Sequence, residues 1–416
     1  MFSSPRRPGS TRRRILASVA LSACAVLILG FSPGRPHAAA ADDAHHPAGF
    51  VYVNDNTAAP NTVEAFARAA DGTLTALAGS PFNVGGAGRG TAGLGSQGGA
   101  ELSQDGNLLF VVDAGSNQIS VLHVHGDGSL SPVAGSPFSS NGVEPVSVAV
   151  QDHTVFVANN DATAAGTCSV SGGGSNYTGF HLDGSGQLTP LANSTYCVPP
   201  NSVLGDVLIS PDSRHVIGIR VGANPPTATQ PSLIDSFDLD DHRELTVSPG
   251  SPFAAQAAGP FGSGFRPTNS SQVFVSDAHG ASGFVSAYTV AENATLTPVS
   301  GSPFADSQIA PCWLVVSQDG KYVYALNTAS KTISSYSIAQ DGTLTLIGSV
   351  LQTGGLTAAA PTDTAIDQSG RAIYSLEPGA PAVVGFTAQN GNVTALSGSA
   401  FSLPSHPSHP AGIAVK

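Results

Sequence analysis

The residues of this 416-residue chain that could do chemistry stand at equivalent places in a sequence unit that repeats along it. Asp206 and Asp363 share one place at the start of the first predicted strand of their units, where a carboxylate could act as a general base. Arg220 ends a second predicted strand, and its guanidinium could stabilise developing oxyanion charge. We therefore predict Asp206, Asp363 and Arg220 as catalytic residues.

Three further side chains are predicted to bind a ligand. Trp313, the only tryptophan, and Ser147 occupy the first-strand place, whereas Glu377 ends a second strand. An indole ring offers a stacking surface, and hydroxyl and carboxyl groups offer hydrogen bonds. The alternative is that the polar residues at strand ends only cap turns, because their side chains can bond to nearby backbone amides.

The unit that positions these residues is marked by a phrase of the type DGTLTALAGSPF, which recurs seven times with variations. The spacing of the phrase, 48 to 58 residues between successive anchor positions, is typical of a propeller blade. The anchors are Leu74, Leu130, Leu188, Leu245, Leu296, Leu344 and Val393.

Alternating apolar and polar residues divide each unit into four short strands separated by polar turns. This pattern predicts an all-β fold, a seven-bladed β-propeller with four antiparallel strands per blade. The third strands each carry one large apolar residue, which we expect to pack between blades: Phe66, Leu122, Phe180, Phe237, Tyr288, Tyr336 and Phe386. Loops before the first strands and after the second strands open on one face of a propeller, so the candidate residues are expected to share an acidic rim.

The two ends of the chain are predicted to complete one blade together. The segment FVYVND near the N-terminus matches a second strand, and HPAGIAVK at the C-terminus matches an isolated first strand. Pairing of Ile413–Val415 with the N-terminal strand would close the ring and remove exposed strand edges.

Residues 1–41 are predicted to be a twin-arginine-like signal peptide. The arginine run at 12–14 precedes an apolar stretch at 15–31 and small residues up to Ala40, near which we expect cleavage. The prediction therefore comprises a signal peptide and one propeller domain over residues 42–416 of a secreted, extracellular or periplasmic protein. Lipidation at Cys24, which follows a lipobox-like LSA, is the alternative that remains open.

The net charge limits the classes of partner that the protein is expected to bind. Loss of the six arginines in residues 1–41 moves the formal net charge from -12 to -18, which disfavours nucleic acid and anionic membrane. A small-molecule ligand or a protein partner at the acidic face of a monomer is expected, without a cofactor or metal.

Cys168 and Cys197 lie in one unit and could form a disulfide in an oxidising compartment, with two buried thiols as the alternative.

Beyond these residue-level arguments, the chain resembles the lactonase family of bacterial propellers. The resemblance rests on the repeated DGxL and GSPF turns and on the segments SQDGNLLFVVDAGSN (103–117) and SQDGKYVYALNTASK (317–331), and it covers residues 48–416. The family includes 6-phosphogluconolactonase and is similar to fungal carboxymuconate cyclase. The resemblance implies a lactonase or a cycloisomerase.

The chain departs from the family at the first-strand positions. Relatives with phosphogluconolactonase activity carry an Arg-His pair there, in a PRH motif, and no unit of this chain has a basic residue at either position. Hydrolysis of a phosphorylated lactone needs cations for the phosphate, so that activity is not expected. Two functions remain: a secreted hydrolase of a non-phosphorylated lactone or related ring, and a non-catalytic scaffold that binds a ligand or a protein.

Overall fold

The computed structural model describes residues 46–161, 173–351 and 360–416. These residues form seven antiparallel sheets arranged as the blades of a ring, and no helix occurs among them. The predicted seven-bladed β-propeller is therefore confirmed. Within the same ranges, no helix is long and apolar enough to cross a membrane.

Each blade has four main strands, and five blades add a two-residue strand at the outer edge. Blades 1 to 3 contain β1 (Gly49–Asn54), β2 (Thr62–Arg68), β3 (Leu74–Ala76) and β4 (Phe82–Asn83); β5 (Ala100–Leu102), β6 (Leu108–Asp113), β7 (Gln118–Val124), β8 (Leu130–Pro132) and β9 (Phe138–Ser139); and β10 (Pro145–Gln151), β11 (Thr154–Asn159), β12 (Asn176–Leu182) and β13 (Leu188–Cys197). Blades 4 and 5 contain β14 (Leu204–Ile209), β15 (His215–Arg220), β16 (Leu233–Leu239), β17 (Leu245–Val247) and β18 (Phe253–Ala254); and β19 (Pro260–Arg266), β20 (Asn269–Asp277), β21 (Phe284–Val290), β22 (Leu296–Pro298) and β23 (Phe304–Ala305). Blades 6 and 7 contain β24 (Pro311–Val316), β25 (Tyr322–Asn327), β26 (Thr332–Ile338) and β27 (Leu344–Leu351); and β28 (Thr362–Ile366), β29 (Ala372–Glu377), β30 (Ala382–Gln389), β31 (Asn392–Ala395) and β32 (Phe401–Ser402).

The last strand, β33 (Ile413–Val415), belongs to blade 1, where it pairs with β1 in the order β3-β2-β1-β33. Val415 lies opposite Val51, and Ile413 lies opposite Val53. All three residues of β33 are buried. The C-terminal strand thus closes the ring as the sequence indicated.

The hairpin between the first and second strands is stabilised by its own side chains. In blade 2, the Ser103 hydroxyl accepts a hydrogen bond from the Leu108 amide (3.0 Å), and Asp105 accepts one from the Asn107 amide (3.0 Å). Gly106 between them has φ of +67°, a conformation that glycine adopts without steric cost. The sequence SQDGN therefore specifies a tight reversal at the end of an inner strand.

The GSPF phrase divides the outer edge of a blade into two short strands without leaving an amide unpaired. In blade 1, the Ser80 hydroxyl accepts a hydrogen bond from the Ala65 amide of β2 (2.9 Å). Equivalent bonds of 2.8 to 3.0 Å join Val121 to Ser136, Ser236 to Ser251, and Ala287 to Ser302. Blades 3 and 6 lack the phrase, and their outer strands β13 and β27 are continuous, with 10 and 8 residues.

The core lies between the blades. All seven large third-strand residues are buried, from Phe66 to Phe386. One apolar cluster joins Phe110 of blade 2, Phe156 of blade 3 and Phe237 of blade 4, so packing continues from each blade to the next. The repeated apolar residues therefore hold the ring together and leave the inner strands to line its centre.

Candidate active site in the central channel

The innermost strands surround a channel of about 710 Å³, which is within the size range of small-molecule sites. Several inner strands carry a bulge near their start, for example between Pro145 and Ser147, between Leu204 and Asp206, and between Thr362 and Thr364. A bulge twists the strand and redirects the side chains beside it. The bulges thus fall beside the residues that the sequence selected.

Asp206 lines the channel and joins three inner strands. Its Oδ1 atom accepts hydrogen bonds from the Ser147 hydroxyl (3.0 Å) and the Val207 amide (2.9 Å). Its Oδ2 atom accepts from the hydroxyl (2.7 Å) and the amide (3.1 Å) of Ser263, and from the Gln97 side-chain amide (3.3 Å). Ser147 therefore supports Asp206, and Asp206 itself has little free acceptor capacity.

Asp363 lies in the same channel and is less constrained by hydrogen bonds. Its Oδ1 atom accepts from the Thr364 amide (2.8 Å). Its φ of +35° lies in a region that a non-glycine residue seldom occupies, and it is the extra residue of the bulge in β28. Unusual backbone geometry of this kind clusters at functional sites, because the surrounding structure must hold it in place.

Glu101 is a third channel carboxyl, and the sequence analysis missed it. It is the central residue of β5, between Ala100 and Leu102, and it forms no hydrogen bond or ion pair with the described residues. A sequence signal could have revealed Glu101. At its position in the inner strand, every other blade has an apolar residue or a glycine, so a charged side chain there is unusual. The carboxyl reaches water within the channel but is enclosed by protein.

The three channel carboxyls have raised pKa values. Burial raises the pKa of Asp206 to about 7, against the lowering effect of its hydrogen bonds. Burial, with the charge of Asp206 as a smaller cause, raises the pKa of Asp363 to about 8. Enclosure by protein, then the charges of Asp363 and Asp206, raises the pKa of Glu101 to about 8. Groups that titrate near neutral pH suit general acid–base chemistry.

One end of the channel is crossed by the loop before β5. The Gln97 side chain donates to the Ser263 carbonyl (2.6 Å) and accepts from the Leu314 amide (2.9 Å), so it reaches from blade 2 to blades 5 and 6. A Cβ atom at position 262 would clash with the side-chain amide oxygen of Gln97, which explains why a glycine stands there. Sequence reasoning gave no role to Gln97.

The structure places Trp313 differently from the predicted stacking platform. The ring is buried, with 6% of the residue exposed, and packs edge-on against Phe261 at a centroid distance of 5.0 Å. Its Nε1 atom donates to the Ser96 carbonyl (2.8 Å). Trp313 therefore anchors the loop that crosses the channel, and its face is covered by protein.

Arg220 is likewise engaged within its own blade. Its guanidinium forms a buried, two-pronged ion pair with Asp235, one arm of which is the Nε–Oδ2 hydrogen bond of 2.6 Å. The Tyr177 hydroxyl donates to the same carboxylate (3.2 Å). Because Arg220 ends a second strand, one strand away from the axis, it does not line the channel. The expected role of Arg220 in oxyanion stabilisation therefore needs correction, since its charge is neutralised away from the cavity.

Glu377 is fully buried and does not line the channel either. Both of its carboxyl oxygens lack a hydrogen-bond partner, and burial raises its pKa to about 8 in spite of the positive charge of Lys331. The expectation that Glu377 shares one rim with Asp206 does not fit this position, for the same reason that applies to Arg220.

The cysteines can be followed in part. Cys197 is disulfide-bonded, whereas its predicted partner Cys168 lies outside the described residues. Cys312 is a free thiol, and burial raises its pKa to about 11.

The signal-peptide prediction and the possible lipidation of Cys24 also fall outside the described residues. In the described ranges, no group of three or more His, Cys, Asp or Glu side chains has an arrangement that could hold a metal ion.

Fold and channel together define a seven-bladed propeller with a small, carboxyl-lined central cavity. Residues 268–400 match the family model described as lactonase, seven-bladed beta-propeller, so the resemblance to the lactonase family is confirmed. No curated protein sequence matches the chain.

Solved structures agree in fold at low sequence identity. A putative 6-phosphogluconolactonase from Bacteroides uniformis has a TM-score of 0.66 at 18% identity, covering 88% of this chain and 99% of that one. A second, from Bacteroides fragilis, has a TM-score of 0.63 at 17% identity, with 88% and 98% covered. The periplasmic gluconolactonase of Pseudomonas aeruginosa has a TM-score of 0.62 at 16% identity, with 88% and 98% covered. Likeness at these identities establishes the fold.

Proposed function

We propose that this protein is an exported hydrolase that opens a non-phosphorylated lactone or related ring in its central channel. The observation that carries the proposal is the set of three carboxyls, Glu101, Asp206 and Asp363, whose pKa values lie near neutral in a cavity of small-molecule size. The basic N-terminal segment, and the periplasmic location of one structural relative, support export.

The proposed reaction assigns separate roles to two of the carboxyls. Ionised Asp363 takes a proton from water, which adds to the lactone carbonyl carbon. The tetrahedral intermediate then collapses as the bond between that carbon and the ring oxygen breaks. Protonated Glu101 gives its proton to the leaving ring oxygen, so a hydroxy acid forms from one lactone and one water.

Asp206 acts as a positioning residue in this scheme. Five donors already occupy its oxygens, which leaves little acceptor capacity for a substrate or a water molecule. Its charge also raises the pKa values of Glu101 and Asp363. Because the product is an anion, repulsion from the channel carboxyls would favour its release.

The absence of cations from the lining sets the substrate class. No lysine or arginine is among the described residues that line the channel. Phosphorylated substrates would therefore meet only acidic and neutral groups, whereas an uncharged lactone would avoid repulsion. This difference separates the proposal from the activity named for the Bacteroides relatives.

The test is hydrolysis of a panel of uncharged and phosphorylated lactones by the intact protein. We expect turnover of an uncharged lactone, a fall in kcat/KM of about 100-fold or more in Asp363→Asn, and no change in the control Asp341→Asn, which alters an exposed outer turn. The pH profile of kcat/KM should be bell-shaped with a maximum near 8, and Glu101→Gln should remove its alkaline limb. Unchanged turnover in both Asp206→Asn and Asp363→Asn would reject this site.

A non-catalytic scaffold remains the second candidate, and one observation favours it. Asp206, Ser147 and Ser263 form a satisfied hydrogen-bonded network that joins inner strands, as a purely structural clamp would. A propeller can bind a small molecule or protein partner without chemistry. A panel on which the wild-type protein shows no turnover at all would favour this candidate.

A further inference from the structure

The two ends of the channel differ in what lines them. At the end where the inner strands begin, Gln97 bridges the ring and is fully hydrogen-bonded to Ser263, Leu314 and Asp206. At the opposite end, where the inner strands turn into the second strands, the lining includes Gln104, Gln318 and Gln368. The first end is closed by protein contacts, and the second is open to solvent.

Glutamine side chains stand at the open end in blades 2, 3, 6 and 7. Gln104, Gln318 and Gln368 occupy the same hairpin position in blades 2, 6 and 7, are exposed, and form no side-chain hydrogen bond with the described residues. Gln151 of blade 3 lies one position earlier and donates to the Pro211 carbonyl (3.0 Å). We call these four residues the glutamine mouth.

The same end is apolar in blades 4 and 5. Pro211 and Pro267 stand in blades 4 and 5 opposite the glutamines, and Leu208 and Phe265 continue this wall into the channel. An amide can both donate and accept hydrogen bonds and carries no charge. One side of the entrance therefore suits hydroxyl groups, and the other suits the hydrocarbon face of a ring.

We propose that the glutamine mouth is the entrance and recognition site of the channel, and that it selects an uncharged, hydroxyl-bearing ring. This inference rests on the proposed function only in assigning the channel to a ligand, because binding at the mouth does not require hydrolysis. The ionised carboxyls deeper in the channel, Asp206 first because its pKa is the lowest of the three, disfavour anions on the same route.

The binding test uses 1,5-anhydroglucitol, an uncharged polyhydroxylated ring that is not a lactone, and glucuronate, a polyhydroxylated ring of the same size that carries a carboxylate. Saturation-transfer NMR on the intact protein should show binding of the first and not of the second. The double variant Gln318→Ala/Gln368→Ala should weaken binding by roughly tenfold, since two neutral hydrogen bonds are lost. Gln340→Ala, an exposed glutamine on an outer turn, is the matched control.

The outcomes separate this inference from the hydrolase proposal. Binding that is equal in the double variant and the wild type, or equal for the uncharged ring and for glucuronate, would overturn the glutamine mouth, whatever the protein hydrolyses. Binding that depends on the glutamines without turnover of any lactone would support the mouth and reject the hydrolase. Lack of 1,5-anhydroglucitol binding by the wild-type protein would overturn the inference outright.

Discussion

Aspartates of the outer turns and carboxyls of the channel belong to the same repeating unit and have opposite chemistry. Asp127 and Asp341 sit in exposed turns of the type DGTL, where hydrogen bonds from Ser129 and Thr343 lower their pKa values. Asp363 lies at the inner end of a blade, where burial raises its pKa to about 8. Position within the blade, and not residue type, therefore decides whether a carboxyl stabilises a turn or is available for proton transfer.

The same contrast separates the strands of a blade. In five blades the outer strand is split into two short pieces, and in four of these a serine hydroxyl accepts a hydrogen bond from the amide at the break, as Ser80 does from Ala65. Inner strands vary from blade to blade and carry the bulges and the polar residues of the channel. Repetition at the rim thus provides a constant frame, and variation at the centre provides the candidate site.

The largest expected effect comes from removing the inner strand that closes the ring. Deletion of residues 410–416 removes the buried strand β33 and its pairing with β1, so we expect loss of cooperative folding. The measurement is thermal unfolding followed by circular dichroism. As an outer-rim control, Leu351→Ser should change stability by about 0.5 kcal/mol or less, since Leu351 is 72% exposed. An unchanged melting temperature in the deletion would show that closure contributes little.

A smaller effect is expected from Asp206→Asn. Whichever way the new amide is turned, its NH2 group faces a backbone N–H, that of Val207 at one oxygen position or that of Ser263 at the other. A buried donor then loses its acceptor, at a cost of about 1–3 kcal/mol in the free energy of unfolding. Urea unfolding at pH 7 measures it.

The matched change in an outer turn is Asp127→Asn. Asp127 is exposed, and water can replace the hydrogen bonds that its carboxylate accepts from the Ser129 amide and hydroxyl. We expect a cost clearly below that of Asp206→Asn. Equal costs for the two variants would contradict the distinction between a channel clamp and a turn cap.

Much of the frame could be predicted from the sequence, because packing repeats in it. The seven buried third-strand residues, such as Phe237, and the closing strand at 413–415 followed from periodicity alone. Their environments are nearly identical, so one pattern describes all blades. The same regularity located Asp206 and Asp363 at the inner ends of their blades.

The site was predicted only in part, because its contacts join residues far apart in the chain. Arg220 is neutralised by Asp235 across neighbouring strands, a pairing that sequence position did not reveal. Gln97 reaches Leu314 over more than 200 residues, and Glu101 became visible only when the channel placed it beside Asp363. Side-chain direction at the axis depends on local bulges, which periodicity does not encode.

The smallest effect tests the raised pKa of Asp363 through stability. A pKa of about 8 in the folded state, against 3.8 as the ordinary value, means that the folded protein binds an extra proton between about pH 4 and pH 8. The contribution of Asp363 to stability is present below pH 4 and is lost as pH rises through about 8. Asp363→Asn removes this dependence. Relative to the wild type, the variant should therefore be more stable at pH 9 than at pH 7, by about 1.4 kcal/mol, because pH 7 lies about one unit below the folded-state pKa.

The control for this measurement is Asp341→Asn, because the lowered pKa of Asp341 gives the opposite sign. Its carboxylate favours the folded state once it is ionised, so the variant should lose a little stability at every pH above about 4 and gain none at pH 9. Urea unfolding of the wild type and both variants at pH 7 and pH 9 makes the comparison. Parallel behaviour of the two variants would mean that Asp363 titrates as an ordinary surface carboxyl. The channel would then lack the proton-transfer group on which the hydrolase proposal depends.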